Sequence, residues 1–277
     1  MPFRIVKAIS VTLIILLSLA LIFGLFLRTK YIAPVLMYHY VVDTPEVKSD
    51  KRIVTPNTFD KQMHFLKVNN YNVISLEEFA GLIKQNKEMP KNTVVITFDD
   101  GHLDNYKNAY PILKKYGLKA TMFVISDYLS KPNFLTEGQI KEMSDSGLIT
   151  IGSHTLTEQY LPHIGDEVML KKEIYDSKRK LEEILNKPVN CFSYPIGGFN
   201  KKIRQMVVDA GYTLAVATSP GLNYPNNDTF VIKRVRISEN SKNLFIFWFE
   251  TSGFYKYLLE LRKNYENPRN KNDGSES

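Results

Sequence analysis

The amino-acid sequence predicts an α/β fold, in which a parallel sheet covered by helices is closed or partly closed into a barrel. Three observations predict it. Short apolar runs alternate with helical patterns in about seven units over some 240 residues, a spacing that suits one barrel better than two domains. One run, Thr93–Phe98, is β-branched and nearly all apolar, the mark of a strand buried on both faces. No segment repeats at a fixed period, so solenoids and propellers are set aside.

The elements follow in order. Pro34–His39 reads as the first strand. Phe59, Met63 and Leu66 recur at helical spacing behind Thr58, a candidate cap, and Val73–Ile74 is a short strand. Ser75-Leu76-Glu77-Glu78 has the form of a capping box, in which the serine and the last glutamate each satisfy an N–H of the first helical turn. After the strand Thr93–Phe98, Tyr106–Tyr116 is a helix stopped by Gly117, and Ala120–Ile125 is a strand. Thr136-Glu137-Gly138-Gln139 is a second capping box, whose helix stops at Gly147. Leu148–Ser153 and Cys191–Tyr194 are strands on either side of a long amphipathic helix, Asp166–Leu185. A helix from Lys201 to Ala210 ends at Gly211, and Thr213–Ala217 and Val231–Ile237 are the last strands. Asn243–Lys263 is the last helix, and residues 264–277, rich in Asn, Ser and charge, are expected to be disordered.

The chain has 277 residues, 44% of them hydrophobic, ample for a packed core. Its one cysteine, Cys191, excludes an intrachain disulfide and every cysteine-based zinc module. The balance of 36 Lys+Arg against 29 Asp+Glu gives a net charge of +7, too modest and too scattered to name an anionic partner, and no nucleic-acid partner is expected.

Ala8–Leu27 is a run of 20 residues without a charge. As a helix at about 1.5 Å per residue it spans a bilayer core of roughly 30 Å. Arg4 and Lys7 precede it and Arg28 and Lys30 follow, so flanking charge gives little guidance on orientation. Residues 1–30 are read as a single-pass anchor, with residues 31–263 as a catalytic domain outside the cell membrane. The alternatives are a cleaved signal peptide, for which Ser18-Leu19-Ala20 is the only small-residue candidate, and a core helix, which the lack of a polar face disfavours.

Four strand ends carry residues that suit chemistry. Asp99 and Asp100 are adjacent carboxylates after the most buried strand, and like charges there call for a cation between them, one Asp as ligand and the other as base. A plain Asp-Asp-Gly turn is the alternative. His154 and Glu158 share a face if the loop after Leu148–Ser153 opens with a helical turn, and histidine nitrogen and carboxylate oxygen are ordinary zinc ligands. Alone, His154 reads as a structural, hydrogen-bonding histidine more readily than as a ligand. Ser193-Tyr194-Pro195-Ile196-Gly197-Gly198 allows close backbone approach, so that an N–H can donate to an oxyanion, or it is simply a turn. His39 ends the first strand.

Taken together these residues resemble the polysaccharide deacetylases, carbohydrate esterase family 4, with a NodB-like domain. Thr97-Phe98-Asp99-Asp100-Gly101, Leu103-Asp104-Asn105-Tyr106, Lys119-Ala120-Thr121-Met122-Phe123-Val124, Ile151-Gly152-Ser153-His154-Thr155 and Tyr194-Pro195-Ile196-Gly197 occur in the family's order. The opening Met37-Tyr38-His39 is similar to the subgroup that deacetylates biofilm poly-N-acetylglucosamine. The resemblance implies a distorted (β/α)7 barrel and a divalent metal, zinc foremost with manganese as the alternative. It implies Asp99 as general base, Asp100 and His154 as ligands, the Ile196 N–H as oxyanion donor and His39 as general acid. Tyr194, Pro195, Gly197 and Arg234 are assigned to the substrate-binding surface. The arginine many members carry before the proline is absent, so Arg234 or Arg236 is the candidate to orient Asp99.

One departure stands out. The family pattern is His-Thr-x-x-His, and here Glu158 occupies the second histidine position, making the expected ligand set Asp100, His154 and Glu158. A carboxylate in place of a neutral imidazole leaves a divalent ion and its ligands neutral rather than positive. That polarises a carbonyl less and favours a harder ion. The function implied is metal-dependent hydrolysis of N-acetyl amides on an envelope or extracellular polysaccharide by a monomer. The alternative is a membrane-tethered, catalytically impaired glycan-binding protein. A glycosidase is disfavoured, because its two carboxyls must flank the sugar about 5–9.5 Å apart.

Overall fold

The computed structural model describes residues 32–44, 49–218 and 227–255, with Ile14, Ser18, Leu258, Leu259 and Arg262. The expected anchor lies outside them apart from Ile14 and Ser18, as does the expected disordered tail. Among the described residues no helix is long and apolar enough to cross a membrane.

The strands are β1 (Val35–Tyr38), β2 (Tyr40–Val41), β3 (Ile53–Val54), β4 (Asn72–Val73), β5 (Thr93–Phe98), β6 (Ala120–Val124), β7 (Ile149–Ser153), β8 (Cys191–Ser193), β9 (Leu214–Ala217), β10 (Ile232–Lys233) and β11 (Val235–Arg236). The helices are α1 (Pro56–Val68), α2 (Leu76–Lys84), α3 (Tyr110–Tyr116), α4 (Glu137–Asp145), α5 (Glu167–Lys171), α6 (Ser177–Leu185), α7 (Lys201–Asp209) and α8 (Leu244–Thr251). The main sheet runs β10-β9-β8-β7-β6-β5-β1-β11, every neighbour parallel, with β4 added beside β5.

The two ends of this ladder are consecutive pieces of one run. Ile232 pairs with Val216 of β9, and Val235 pairs with Leu36 of β1, with Arg234 between them. The expected single strand Val231–Ile237 is therefore split, because one run cannot lie flat against both edges at once. Its break at Arg234 nearly closes the sheet into a barrel, as the sequence led us to expect.

Strand alternation sorts side chains into two layers. Val35, Val95, Phe123, Cys191, Val216 and Ile232 form one cluster inside the barrel, with Leu76, Phe79 and Ala80 of α2 packed against it. Leu36, Tyr38, Ile96, Phe98, Met122 and Val124 belong to the larger cluster under the outer helices. The same period carries the inward face on to His39, Asp99, His154, Ser193 and Arg234 at or just beyond the strand ends.

Local chemistry explains most element ends. Ser75 accepts from the Glu78 N–H, and the reciprocal box at Thr136 and Gln139 is complete. Gly117 ends α3 in the left-handed conformation that glycine adopts without penalty. Three expectations need correction. The cap of α1 is Thr55, whose hydroxyl accepts from the Thr58 N–H, because Pro56 pre-sets the first helical position. The helices expected over Tyr106–Tyr116 and Asp166–Leu185 each contain a π turn, Asn105–Ala109 and Lys172–Asp176. The helix expected over Asn243–Lys263 is interrupted after Thr251: the Ser252 N–H donates to the Phe249 carbonyl, Gly253 goes left-handed, and helical residues resume at Phe254.

Glu250 of α8 is 8% exposed, and its Oε2 has no hydrogen-bond partner among the described residues. Burial pushes its pKa up from 4.5 to about 7. The folded state thus holds a proton that the unfolded chain releases, and stability present below pH 4.5 is lost as pH rises through about 7. Denaturant titrations of Glu250→Gln and the parent are expected to agree near pH 5 and to diverge by about 1–3 kcal/mol in the variant's favour at pH 8. Parallel pH dependence of the two proteins would contradict this.

Candidate metal centre and active site

A buried ion pair organises the mouth of the barrel. Asp99, directly after β5, receives Arg234 Nη1 on Oδ1 at 2.6 Å and Nη2 on Oδ2 at 2.7 Å. Arg234 also donates to Thr97 Oγ1 at 3.2 Å and Ser193 Oγ at 3.0 Å, so three strands meet on one guanidinium. Burial alone would raise the Asp99 pKa, but Arg234, followed by His154, outweighs it and holds the carboxylate ionised. Arg234 is 2% exposed and holds the Asp99 carboxylate, the orienting role expected of it or of Arg236. Arg236, the other candidate, is exposed.

Beside this pair, Asp100, His154 and Glu158 each offer one ligand atom, and the three atoms lie within 4.8 Å of one another. His154 Nε2 stands 3.4 Å from Asp100 Oδ1, while its Nδ1 meets the Ser193 carbonyl at 2.9 Å. That carbonyl accepts only from a protonated Nδ1, so Nε2 is the ring nitrogen turned toward the carboxylates, the arrangement common in metal-ligating histidines. Burial would lower the His154 pKa, yet Asp99 and Asp100 reverse the sign and lift it to about 9. Asp100 is held well below the usual carboxylate range despite burial, by His102 and His154. Glu158 is raised, by burial and by the Asp100 charge. A site that raises a histidine and a second carboxylate together attracts positive charge, and an oxygen–nitrogen–oxygen donor set of this kind fits a divalent cation.

Histidine and glutamate do not meet as expected. No helical turn links them. Thr155 and Glu158 both have positive φ, 65° and 64°, and the Thr155 hydroxyl accepts from the Glu158 N–H at 3.0 Å. The loop is held from outside by buried Glu173, which lies in the second π turn and accepts from the Leu156 and Thr157 N–H groups and from the Thr157 hydroxyl. The first π turn plays the same part for His39, since Asn105 donates to the His39 carbonyl at 2.8 Å. π turns recur at functional sites because the extra residue re-aims a side chain.

His39 is 9% exposed, and its Nδ1 has no hydrogen-bond partner among the described residues. Burial lowers its pKa from 6.5, against the opposing charges of Asp99 and Asp100. Ile196 has φ 56° with its side chain 76% exposed, a conformation that costs a β-branched residue about 1–3 kcal/mol. Gly197 follows at φ 75°, where a Cβ would lie 2.9 Å from the Thr218 nitrogen. Tyr194 and Pro195, expected in the substrate-binding set, are buried, and the Tyr194 hydroxyl donates to the Phe230 carbonyl.

Sequence reasoning passed over His102. Its Nε2 lies 3.2 Å from Asp100 Oδ2, and its ring stacks on Tyr40 at 3.9 Å between centroids. The signal available was the Asp100-Gly101-His102 turn: Asp100 and Gly101 both have φ 74°, and a Cβ on Gly101 would lie 3.0 Å from Val124. His102 also forms one wall of a cleft of about 700 Å³ that includes Tyr40, Arg52, Lys107, Asn133 and Phe134.

A nearly closed parallel barrel with buried carboxylates and histidines at the strands' C-terminal ends defines a class of proteins whose chemistry sits at that mouth. Comparison with known proteins narrows the class. The family model described as polysaccharide deacetylase matches residues 86–215. The provisionally named polysaccharide deacetylase YxkH of Bacillus subtilis is 34% identical over 205 residues, 74% of this chain and 71% of its own length. The poly-beta-1,6-N-acetyl-D-glucosamine N-deacetylase of Staphylococcus aureus is 29% identical over 200 residues, 68% of this chain and 69% of its own. The structure of the Streptococcus pyogenes deacetylase PplD in complex with acetate superposes with a TM-score of 0.70 at 34% identity, covering 78% of this chain and 98% of that one. The chain belongs to the polysaccharide deacetylase family.

Replacing Arg234 tests the ion pair. Arg234→Met leaves a buried Asp99 carboxylate without its cation and is expected to lower unfolding free energy by about 3–5 kcal/mol. Arg234→Lys, which keeps the charge but not the paired hydrogen bonds, is expected to recover part of that loss in the same denaturant titration.

Proposed function

We propose that this protein removes acetyl groups from N-acetylated amino sugars of an envelope or extracellular polysaccharide, using a divalent cation held by Asp100, His154 and Glu158. Family membership supports the polysaccharide substrate, and the names of the Staphylococcus aureus and Streptococcus pyogenes relatives support deacetylation. The observation that carries the reading is the convergence of three ligand atoms within 4.8 Å, beside an ionised Asp99. Asp100, His154 and Glu158 would hold the cation, zinc or the harder manganese, which would there supply Lewis-acid chemistry. We further assign Ala8–Leu27 as a membrane anchor and the domain as an extracytoplasmic monomer.

The residues of the chain divide the remaining work. Asp99, kept ionised by Arg234, accepts the proton of the attacking water. The N–H of Ile196, on its left-handed turn, donates to the oxyanion that forms at the acetyl carbon. His39 lies near enough to Asp99 and Asp100 to feel their charges, and it protonates the departing amine. His102 and Ser193 orient Asp100 and His154 respectively and touch no substrate in this scheme.

Asp99→Asn is expected to reduce kcat/KM by about 10²–10⁴, measured as acetate released from N-acetylglucosamine oligomers, with chelation abolishing release and Zn²⁺ or Mn²⁺ restoring it. Full activity in Asp99→Asn would sink the assignment. Glu158 favours one other reading, a glycan-binding protein. Its signature would be oligomer binding with no acetate release until Glu158→His is introduced.

The proposed acid also sets a pH dependence. Burial holds His39 below 6.5, so its protonated form is a minority at neutral pH and diminishes as pH rises. The kcat/KM profile is expected to fall on an alkaline limb below pH 6.5, and His39→Asn to lower the rate and remove that limb. An unchanged limb in the variant would exclude His39.

A further inference from the structure

Helix α8 presents an apolar face that the barrel does not use. Phe247 is fully buried and packs edge-on to Phe65, which fixes the helix to the wall. On the outward side Phe245 is 70% exposed, Trp248 46%, Ile246 39% and Leu244 37%. Phe245 and Trp248 stand together with ring centroids 5.5 Å apart. Large apolar side chains gathered on one exposed patch mark an interaction surface rather than ordinary surface variation.

The chain itself indicates what covers it. The Ile32 N–H donates to the carbonyl of Gly253, two residues beyond α8, at 3.2 Å. The uncharged run Ala8–Leu27 ends five residues before Ile32, a stretch that reaches about 17 Å at full extension. Trp248 lies five residues before Gly253, about 8 Å along the helix. With Ala8–Leu27 in a bilayer, the aromatic face is therefore within about 25 Å of the point where the chain leaves the lipid. Tryptophan, phenylalanine and isoleucine beside an exposed cation, here Lys242 at the start of the helix, suit the headgroup–acyl boundary.

We propose that the outward face of α8, carrying Leu244, Phe245, Ile246 and Trp248, docks on the phospholipid surface next to the anchor and fixes the orientation of the barrel on the membrane. This rests on the reading of Ala8–Leu27 as an anchor. Two contacts, one through the chain and one through the helix, restrict a domain that a single tether would leave free to rotate.

Trp248 is the single tryptophan of the chain and reports on the patch directly. With the full chain reconstituted in phosphatidylcholine–phosphatidylglycerol vesicles, its emission is expected to lie to the blue and to lose at least half its intensity when the lipids are brominated near the headgroup end of their acyl chains. Phe245→Asp, at an exposed position, is expected to reverse most of both effects while the chain stays in the vesicles. Red emission insensitive to brominated lipid, in a chain that resists alkaline carbonate extraction, would overturn docking and leave the anchor standing. Release of the chain by carbonate would remove the anchor and the proposal together. Emission that answers to added N-acetylglucosamine oligomers but not to lipid would make the patch a sugar platform and overturn docking as well.

Discussion

Two N–H groups of Arg234 on the two oxygens of Asp99 join the closing run of the barrel to β5 across its mouth. A buried ion pair of this kind contributes little net stability, because desolvation offsets most of the attraction. What it fixes is charge and direction. Asp99 stays ionised in a place where burial alone would favour its neutral acid, and its carboxylate plane is held by two parallel bonds. The same guanidinium reaches Thr97 and Ser193, and Ser193 in turn presents its carbonyl to His154. One side chain thus ties the closing run of the barrel to the groups of the site.

Around that centre the backbone is under strain. Asp100, Thr155, Glu158 and Ile196 all take positive φ, and conformations of this kind cost non-glycine residues about 1–3 kcal/mol each. They persist because their surroundings over-determine them. Glu173 and Asn105, each in a π turn of an outer helix, satisfy the loop groups that the sheet no longer reaches. The outer helices therefore position the site as much as the strands do, through buried polar residues rather than through apolar packing.

Most strands of the main sheet were legible because a parallel barrel writes each one as a short apolar run, and Thr93–Phe98 appears with the bounds its composition suggests, whereas the two-residue strands Tyr40–Val41 and Ile53–Val54 carry too short a pattern to read. The capping signals at Ser75, Thr136, Gly117 and Gly211 were legible because they are local. Arg234 was legible only as one of two candidates. Its distinction from Arg236 depends on the break between β10 and β11, which arises from pairing with strands far away in sequence. His154 and Glu158 were read as partners through a helical turn, whereas two left-handed residues bring them together; sequence spacing carried the pairing but not the path. His102 and Glu173 were not read at all, and Asn105 only as part of a motif, since their worth lies in what they hold, and that becomes visible only once the loops are in place.

The pairing of Leu36 with Val235 has a consequence for how the molecule comes into being. The earliest stave finds its second neighbour in the latest, so the ring cannot be completed while the chain is still emerging from the ribosome. Until then β1 and β9 each present an unpaired edge, and the charged residues of the mouth lack Arg234. Contacts so distant along the chain make for slow, late assembly. A nascent chain of this topology can complete its ring of strands only after Val235–Arg236 have been made.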